Sequence, residues 1–308
     1  MSTVSSIPDP MSVIRPDGPW THREITANAC RFHVAEMGSG PLVIFLHGFP
    51  LFWWTWRHQL EALASAGFRT VAVDMRGYGG SDHTPHGYDP LTLAADTAGL
   101  IRSLGARDAV VVGQGWGAIV AWTIAATEPE LTRGIAVVGM PHPALLRNAF
   151  VGDTEQRRLA GYIWGLQRPF IPERQLVRDQ AAAVGTYLHR WSGSQWPDAD
   201  TEAVYRAAML IPNTAHCSVE FHRWAVRSIP RRDGRRFQAA VAKPVRPPVL
   251  QIQGSADGAI LRRSIDGSEH YARVYERVDM NGVGHFPHEE DPSSFNAILL
   301  DWLARIPN

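Results

Sequence analysis

The sequence lacks a surplus of either charge and is poor in cysteine. Its 308 residues carry 30 basic and 30 acidic side chains, so the formal net charge is zero. Proteins that bind nucleic acid or an anionic membrane surface carry a basic excess, and the balance here argues against both partners. The two cysteines, Cys30 and Cys217, are too few for a disulfide framework or a four-thiolate zinc site.

Long apolar runs are missing as well. No stretch approaches the roughly 20 apolar residues of a membrane span, and residues 1–19 contain no apolar run typical of a secretory signal. Together with the scarce cysteine, this predicts a cytoplasmic protein in a reducing compartment. Nothing in the sequence indicates an oligomeric state.

The composition that is present is typical of a globular protein. Apolar residues make up 45% of the chain and charged residues 19%, and the length allows a large core. Eleven tryptophans occur, several of them close together in sequence. We expect some of them to line an aromatic cavity that takes a small apolar molecule.

Short continuous apolar runs recur along the chain, which favours strands buried on both faces of a parallel sheet. These predicted strands are 42–46, 70–73, 109–112, 135–138 and 249–252. Helical patterns accompany them at about 54–66, 91–104, 117–128 and 293–305. The alternation predicts a doubly wound α/β domain, preceded by two antiparallel strands within residues 21–37.

The strand–helix alternation stops between about residues 143 and 245. That segment is helical in pattern and contains four of the eleven tryptophans. We interpret it as an inserted helical cap. The predicted organisation is an N-terminal arm (1–19), an α/β core (20–142 and 245–308) and a cap, or lid (143–244).

Four features contain residue types that carry chemistry; the first three follow predicted strands, and the fourth lies near the C-terminus. They are His47-Gly48-Phe49-Pro50, Gly113-Gln114-Gly115-Trp116-Gly117, Asp257, and Gly284-His285-Phe286. The second segment joins a strand to a helix, as a nucleophile turn does. Nucleophile position, acid and histidine come in the chain order of an α/β-hydrolase.

Further motifs match one branch of the α/β-hydrolase superfamily in the right order over most of residues 20–305. They are His47-Gly48-Phe49-Pro50, Trp56-Arg57-His58-Gln59, residues 74–82, Pro141-His142-Pro143 and residues 284–290. The sequence resembles the epoxide hydrolase and haloalkane dehalogenase group, and it is closer to the epoxide hydrolases. The resemblance implies an α/β-hydrolase fold, with a mostly parallel sheet, helices on both faces and an inserted helical cap.

The resemblance also implies catalytic roles. His285 matches the histidine base, Asp257 matches the acid that orients it, and the backbone N–H groups of Phe49 and Trp116 match the oxyanion hole. In that family a carboxylate on the strand-to-helix turn attacks the epoxide carbon, and activated water then cleaves the ester. Here the nucleophile position is Gly115. Covalent attack from a residue without a side chain is impossible.

Two lid tyrosines that donate hydrogen bonds to the epoxide oxygen are a further implication. Leu166 and its neighbours stand near the first position, and Phe221 and His222 stand at the second. Three other tyrosines are candidates to point inward instead: Tyr162, Tyr187 and Tyr205. The residues that we expect to line the cavity are Trp53, Trp54, Phe221, His222 and Leu166.

These departures leave several functions open. The first is hydrolysis in which His285 with Asp257 activates water directly, or in which the cap supplies a nucleophile. The second is a catalytically inactive pseudoenzyme that binds an apolar ligand. The third is a cofactor-free lyase or oxygenase in which His285 takes a proton from the substrate. The fourth is an active enzyme into which Gly115 was introduced deliberately.

No cofactor and no metal is expected. The chain has no phosphate-binding loop, and Gly77-Tyr78-Gly79-Gly80 lacks the spacing of a dinucleotide fingerprint. His216 and His222 are accompanied by no carboxylate at a familiar zinc spacing.

Overall fold

The computed structural model describes residues 7–306, and its centre is a sheet of eight strands. The strands are β1 (Thr21–Ala27), β2 (Cys30–Met37), β3 (Leu42–Leu46), β4 (Arg69–Val73), β5 (Ala109–Gln114), β6 (Thr132–Val138), β7 (Val249–Gly254) and β8 (Tyr275–Met280). Their order across the sheet is β1-β2-β4-β3-β5-β6-β7-β8. β2 pairs antiparallel with β1 and β4, and the other neighbours are parallel.

Helices connect and cover these strands. They are α1 (Arg57–Ser65), α2 (Pro90–Ser103), α3 (Trp116–Thr127), α4 (Pro143–Gly152), α5 (Thr154–Leu159), α6 (Tyr162–Gly165), α7 (Ile171–Trp191), α8 (Ala199–Met209), α9 (Thr214–Arg227), α10 (Arg232–Ala240), α11 (Pro287–Glu290) and α12 (Pro292–Arg305). Non-helical residues at 178–181 interrupt α7. Helices α4 to α10 follow one another between β6 and β7, and we call them the helical insertion. None of the described helices is long and apolar enough to cross a membrane.

The central strands are apolar throughout because helices cover both faces of the sheet. In β3, Val43 and Phe45 belong to the core cluster that also contains apolar residues of α1 and α12. Ile44 and Leu46 point the other way and join the cluster that contains residues of α2 and α3. The two-residue alternation along each strand therefore builds two separate cores.

The predicted fold class is confirmed, and the five predicted apolar strands correspond to β3 to β7. The antiparallel pair predicted within residues 21–37 is present as β1 and β2. It turns through Asn28 and Ala29, whose φ values of 46° and 57° are left-handed. The sequence pattern does not predict β8, because this strand has three charged residues among its six and is mostly half-buried at the edge of the sheet.

The structure can be compared only in part with the predicted arm (1–19) and the predicted cap (143–244). Of the predicted arm at 1–19, residues 1–6 lie outside the described part of the chain. Within the rest, Val13 and Ile14 are buried, and the Ile14 carbonyl accepts a 2.9 Å hydrogen bond from the Trp53 indole. The helical insertion spans 143–240, within the segment predicted as a cap.

A fully buried carboxylate joins several of these segments. Asp74, directly after β4, accepts hydrogen bonds from His33 Nδ1 at 2.7 Å and from the backbone N–H groups of Trp53 at 3.0 Å and Gly80 at 2.9 Å. Burial alone would raise the pKa of Asp74. The hydrogen bond and charge of His33, with the two backbone donors, outweigh burial and lower this pKa.

We expect Asp74→Asn to reduce the free energy of unfolding by about 3–5 kcal/mol, because it breaks a buried pair. Urea unfolding at neutral pH measures the loss. Since the pKa of Asp74 is lowered by folding, its contribution is present above the unfolded pKa of about 3.9 and is lost as pH falls through the folded pKa. Asp301→Asn is the control, because that carboxylate is 74% exposed and should matter little. Equal stability of the two variants would contradict the prediction.

Candidate active site

The predicted site residues meet at the edge of the sheet where the parallel strands end. His47 follows β3, Gly115 follows β5, Asp257 follows β7, and His285 lies in the loop after β8. Open parallel sheets place their ligand sites at this carboxyl edge. The topology therefore brings together residues that are far apart in sequence.

Gly115 lies in a sharp turn between β5 and α3, with φ 55° and ψ −116°. The neighbouring glycines allow close backbone contact, since a Cβ on Gly113 would lie 2.2 Å from the Gly117 carbonyl oxygen. Around Gly115 itself there is room. A Cβ at this position would meet only Gly48 Cα at 3.4 Å and His285 Nε2 at 3.7 Å within a 4 Å radius. A side chain at 115 would thus point towards His285.

His285 and Asp257 form a buried hydrogen-bonded pair, with 2.9 Å between His285 Nδ1 and Asp257 Oδ2. Asp257 also accepts hydrogen bonds from Gln253 Nε2 at 2.9 Å and from the backbone N–H groups of Ala259 at 2.7 Å and Ile260 at 2.8 Å. Donors on every side keep Asp257 an acceptor, so His285 carries its proton on Nδ1. Its Nε2 then has a free lone pair and can act as a base towards the space at Gly115.

The loop that carries His285 is fixed to the end of α7. The His285 backbone N–H donates to the Trp191 carbonyl at 2.9 Å. The Glu290 carboxylate accepts from the backbone N–H of Gly284 at 2.9 Å and from that of Gly193 at 2.9 Å. Sequence reasoning missed Glu290 in this role, and the only signal for it is its position five residues after His285 in a matching motif.

Two backbone donors lie beside the space at Gly115. Trp116 begins α3, so its N–H has no acceptor within the helix. Phe49 follows Gly48, whose Cα borders the space. Among the hydrogen bonds of residues 7–306, neither N–H has a partner. Such donors are suited to an oxygen atom of a ligand.

His47 holds the loop that contains Phe49. Its Nδ1 donates to the Gly48 carbonyl at 3.0 Å, and its Nε2 accepts from the Met75 backbone N–H at 3.1 Å. Burial lowers the pKa of His47 to about 4. His47 is therefore a neutral, structural residue of the loop.

A connected cluster of aromatic rings packs against His285 through Trp191, and we call this cluster the aromatic wall. Its members are Phe49, Trp116, Tyr162, Tyr187, Trp191 and His222. The Trp191 ring lies 5.7 Å from that of His285, and the Phe49 ring lies 5.1 Å from His222 and 5.4 Å from Tyr187. Four of the six members come from the helical insertion. The wall makes the space above Gly115 largely apolar.

His222 is locked in one neutral form. Its Nδ1 donates to the Ser218 carbonyl at 3.0 Å, and its Nε2 accepts from the Trp116 indole N–H at 3.3 Å. Burial lowers the pKa of His222 to about 4. With both nitrogens engaged, His222 has no proton to donate to a ligand.

Two hydroxyl groups of the wall are free to donate. Neither Tyr162 nor Tyr187 has a hydrogen-bond partner for its hydroxyl within the described part of the chain. Burial raises the pKa of both tyrosines, and Asp257 is among the groups that raise that of Tyr162. Both hydroxyls are therefore protonated at neutral pH, and Tyr162 lies near the His285–Asp257 pair. The third tyrosine considered, Tyr205, donates instead to Glu289.

The remaining predicted lining residues lie in different surroundings. Trp53 packs against Trp20, at 5.3 Å between ring centroids, and against His22. Trp54 contacts Phe52, Tyr205 and the Arg57 guanidinium, which lies 3.7 Å above its ring. Neither ring contacts the aromatic wall, because Trp53 faces the arm and β1, whereas Trp54 faces α8 of the insertion.

Phe221 and Leu166 are closer to the candidate site. Phe221 packs against Trp116, with 5.5 Å between centroids, and lies behind the wall with Tyr78 and Tyr88. Leu166 is buried, and its carbonyl accepts from Arg223 at 3.2 Å. No group of three or more His, Cys, Asp or Glu side chains within residues 7–306 is arranged to hold a metal ion.

We expect His222 to stay neutral, with its proton on Nδ1, as pH falls from 7 to about 5. The reason is the burial that lowers its pKa to about 4. Imidazole ¹⁵N NMR measures the form, and the His222→Gln spectrum assigns the signal. Since this pKa lies below the unfolded value of about 6.5, stability decreases as pH falls between the two. A His222 signal that titrates near 6.5 would contradict this.

Comparison with known proteins places the chain among characterised sequences. The alpha/beta hydrolase family profile matches residues 43–298. Epoxide hydrolase A of Mycobacterium tuberculosis is 32% identical over an alignment that covers 92% of this chain and 97% of that protein. Epoxide hydrolase 3 of Xenopus tropicalis is 38% identical, covering 89% and 74%, respectively.

Solved structures show the same likeness. Epoxide hydrolase A from Mycobacterium thermoresistibile superimposes with a TM-score of 0.80 at 26% identity, covering 94% of this chain and 99% of that one. An epoxide hydrolase from Vigna radiata gives a TM-score of 0.79 at 26% identity, covering 93% and 98%. The similarity extends over nearly the whole of each chain.

Proposed function

Because this chain belongs to the alpha/beta hydrolase family, in its epoxide hydrolase-like branch, we propose that it hydrolyses a small apolar epoxide by direct attack of water. His285 is the base that activates the water, and no covalent ester forms. The helical insertion acts as the cap and supplies the rings that hold the substrate. The buried free thiols of Cys30 and Cys217 agree with a reducing, cytoplasmic location.

The observation that carries this proposal is the space at Gly115. His285 Nε2 lies 3.7 Å from the place that a Cβ would take, and apart from the two chain neighbours of Gly115, the only other atom of the described residues within 4 Å is Gly48 Cα. A water molecule in this space would be within hydrogen-bond reach of His285. His285 Nε2 therefore borders a space for water at position 115, where the family's pattern has a carboxylate.

The proposed reaction balances with the groups of the site. The water oxygen forms a bond to an epoxide carbon, while its proton passes to His285 Nε2 and Asp257 stabilises the imidazolium. The carbon–oxygen bond of the ring breaks, and the Tyr162 hydroxyl gives its proton to the departing oxygen. Proton transfer from His285 back to Tyr162 through solvent restores the site. The product is a diol.

Such an enzyme is expected to be slow. Removal of the nucleophile of a catalytic triad costs on the order of 10⁶ in rate and leaves about 10³–10⁴ over the uncatalysed reaction. Turnover near this residual level would agree with a site that positions and polarises its reactants without a covalent step.

We expect the wild-type protein in oxygen-18-labelled water to place the label in the diol during the first turnover, because solvent is the nucleophile. Single-turnover mass spectrometry of a styrene oxide reaction measures this. Gly115→Asp is the matched comparison, because its carboxylate would supply an unlabelled oxygen first.

His285→Gln should lower the wild-type rate by about 10²–10⁴ fold, since a general base is lost. Unlabelled diol from the first wild-type turnover, or a rate that His285→Gln leaves unchanged, would refute direct attack by water.

Tyr162→Phe should lower kcat by about 10²-fold or more, because the departing oxygen loses its proton donor. The rate of diol formation measures the change. Tyr275→Phe is the control, because Tyr275 also has a buried hydroxyl without a partner but lies on β8, outside the aromatic wall. Equal rates for the two variants would remove Tyr162 from the mechanism.

A second candidate is a pseudoenzyme that binds an apolar ligand without turning it over. The observation in its favour is that the implied lid positions hold Leu166, which has no donor, and His222, whose nitrogens are both engaged. Absence of any diol, together with an increase in Tm on adding styrene oxide or its diol, would favour this candidate over hydrolysis.

A further inference from the structure

The proposed attack of water leaves part of the site unused. The N–H groups of Phe49 and Trp116 lie beside the space at Gly115 and have no partner among residues 7–306. In the proposed reaction the Tyr162 hydroxyl protonates the epoxide oxygen, so no reacting oxygen needs to lie between these two N–H groups. These donors therefore point to a ligand group that the hydrolysis of an epoxide does not require.

The surroundings of this space favour a negative charge. The space lies at the amino end of α3, a helix of 12 residues, where the backbone dipoles favour anions. On the opposite side lies His285, which is 4% exposed and whose Nε2 has no partner in the described chain. When His285 is protonated, Asp257 stabilises its charge and Nε2 becomes a further donor.

We propose that the space at Gly115 binds the carboxylate of a small apolar monocarboxylic acid. One carboxylate oxygen accepts hydrogen bonds from the Phe49 and Trp116 N–H groups, and the other accepts from protonated His285 Nε2. The apolar part of the acid lies against the aromatic wall.

Size and charge limit the ligand class. Gly115 leaves the room of one short side chain, and nothing closer than 3.4 Å borders the Cβ direction, so a planar carboxylate is the group that the space accommodates. The aromatic wall contains no arginine or lysine. A dianion such as a phosphate monoester would therefore be poorly neutralised by a single imidazolium.

Binding is coupled to protonation of His285. The titratable groups that face it are Asp257 from the loop after β7, the Tyr162 hydroxyl from α6, and His288 from α11, whose own pKa is lowered partly by His285. Burial raises the pKa of Tyr162 and lowers that of His288, so both are neutral at neutral pH. His285 is thus the group that takes up the proton when a carboxylate binds.

The inference does not depend on turnover. A bound carboxylate would occupy the place of the attacking water and inhibit hydrolysis, but its binding is measurable in an inactive protein. Binding without diol formation would leave this inference intact and overturn the proposed function.

The experiment is titration calorimetry of the full chain with phenylacetate and, as a neutral match, phenylacetamide. We expect phenylacetate to bind at least about tenfold more tightly than the amide, since charge-assisted hydrogen bonds distinguish them. In buffers of different ionisation enthalpy, phenylacetate binding should take up protons, because the carboxylate binds the protonated form of His285, and phenylacetamide binding should not.

Two variants separate the parts of the site. Gly115→Asp should reduce phenylacetate affinity by about tenfold or more, because a second carboxylate fills the space and repels the ligand. His285→Gln keeps a polar side chain of similar size, and should weaken phenylacetate binding by about tenfold or more and abolish its pH dependence, because the charged donor is lost. Circular dichroism and Tm confirm that each variant is folded.

Three results would overturn the inference. The first is no binding of phenylacetate by the folded wild-type protein, and the second is equal affinity for phenylacetate and phenylacetamide. The third is phenylacetate binding that Gly115→Asp and His285→Gln both leave unchanged, which would put the acid elsewhere on the protein.

Discussion

The close approach of β5 and α3 to β3 is the constraint on which the site depends. A Cβ at Gly117 would lie 2.1 Å from the Leu46 carbonyl oxygen, and one at Gly113 would lie 2.2 Å from that of Gly117. Glycine at both positions lets the first turn of α3 lie directly against the end of β3. This packing brings the donors on Phe49 and Trp116 beside one space. Without this packing, the loops after β3 and β5 would lie further apart, and the two backbone donors would not lie together beside His285.

The core and the helical insertion divide the work of the site. The core supplies His285, Asp257 and the backbone donors, all fixed at strand ends by short loops and buried hydrogen bonds. The insertion supplies Tyr162, Tyr187, Trp191 and His222. A change in the insertion would therefore alter which molecules fit, while the base and the donors stay in place. The His285–Asp257 geometry is fixed by core hydrogen bonds in which residue 115 takes no part.

The sequence predicted the parts of the molecule that depend on local patterns. Continuous apolar runs located β3 to β7, and motif order located Gly115, Asp257 and His285. The half-buried strand β8 has no such run and was missed. The sequence pattern could not show that Trp53 and Trp54 lie outside the aromatic wall. Trp53 packs against the arm and Trp54 against the insertion, and these contacts depend on the tertiary structure. Trp191 belongs to the wall because the end of α7 packs against Phe49 and His285, which is a tertiary contact.

Glu290 links the end of α7 to the loop that carries His285, so the two segments cannot move independently. The same carboxylate accepts from Gly284, next to His285, and from Gly193, just after α7. Any movement that lifts the end of α7 away from the core must therefore break hydrogen bonds that hold the loop of His285. Opening at this end would therefore disturb His285. Among the described residues, no hydrogen bond joins the segment α4 to α6 to the loop that carries His285. If ligands enter and leave past α4 to α6, the His285–Asp257 pair would keep its geometry from one ligand to the next.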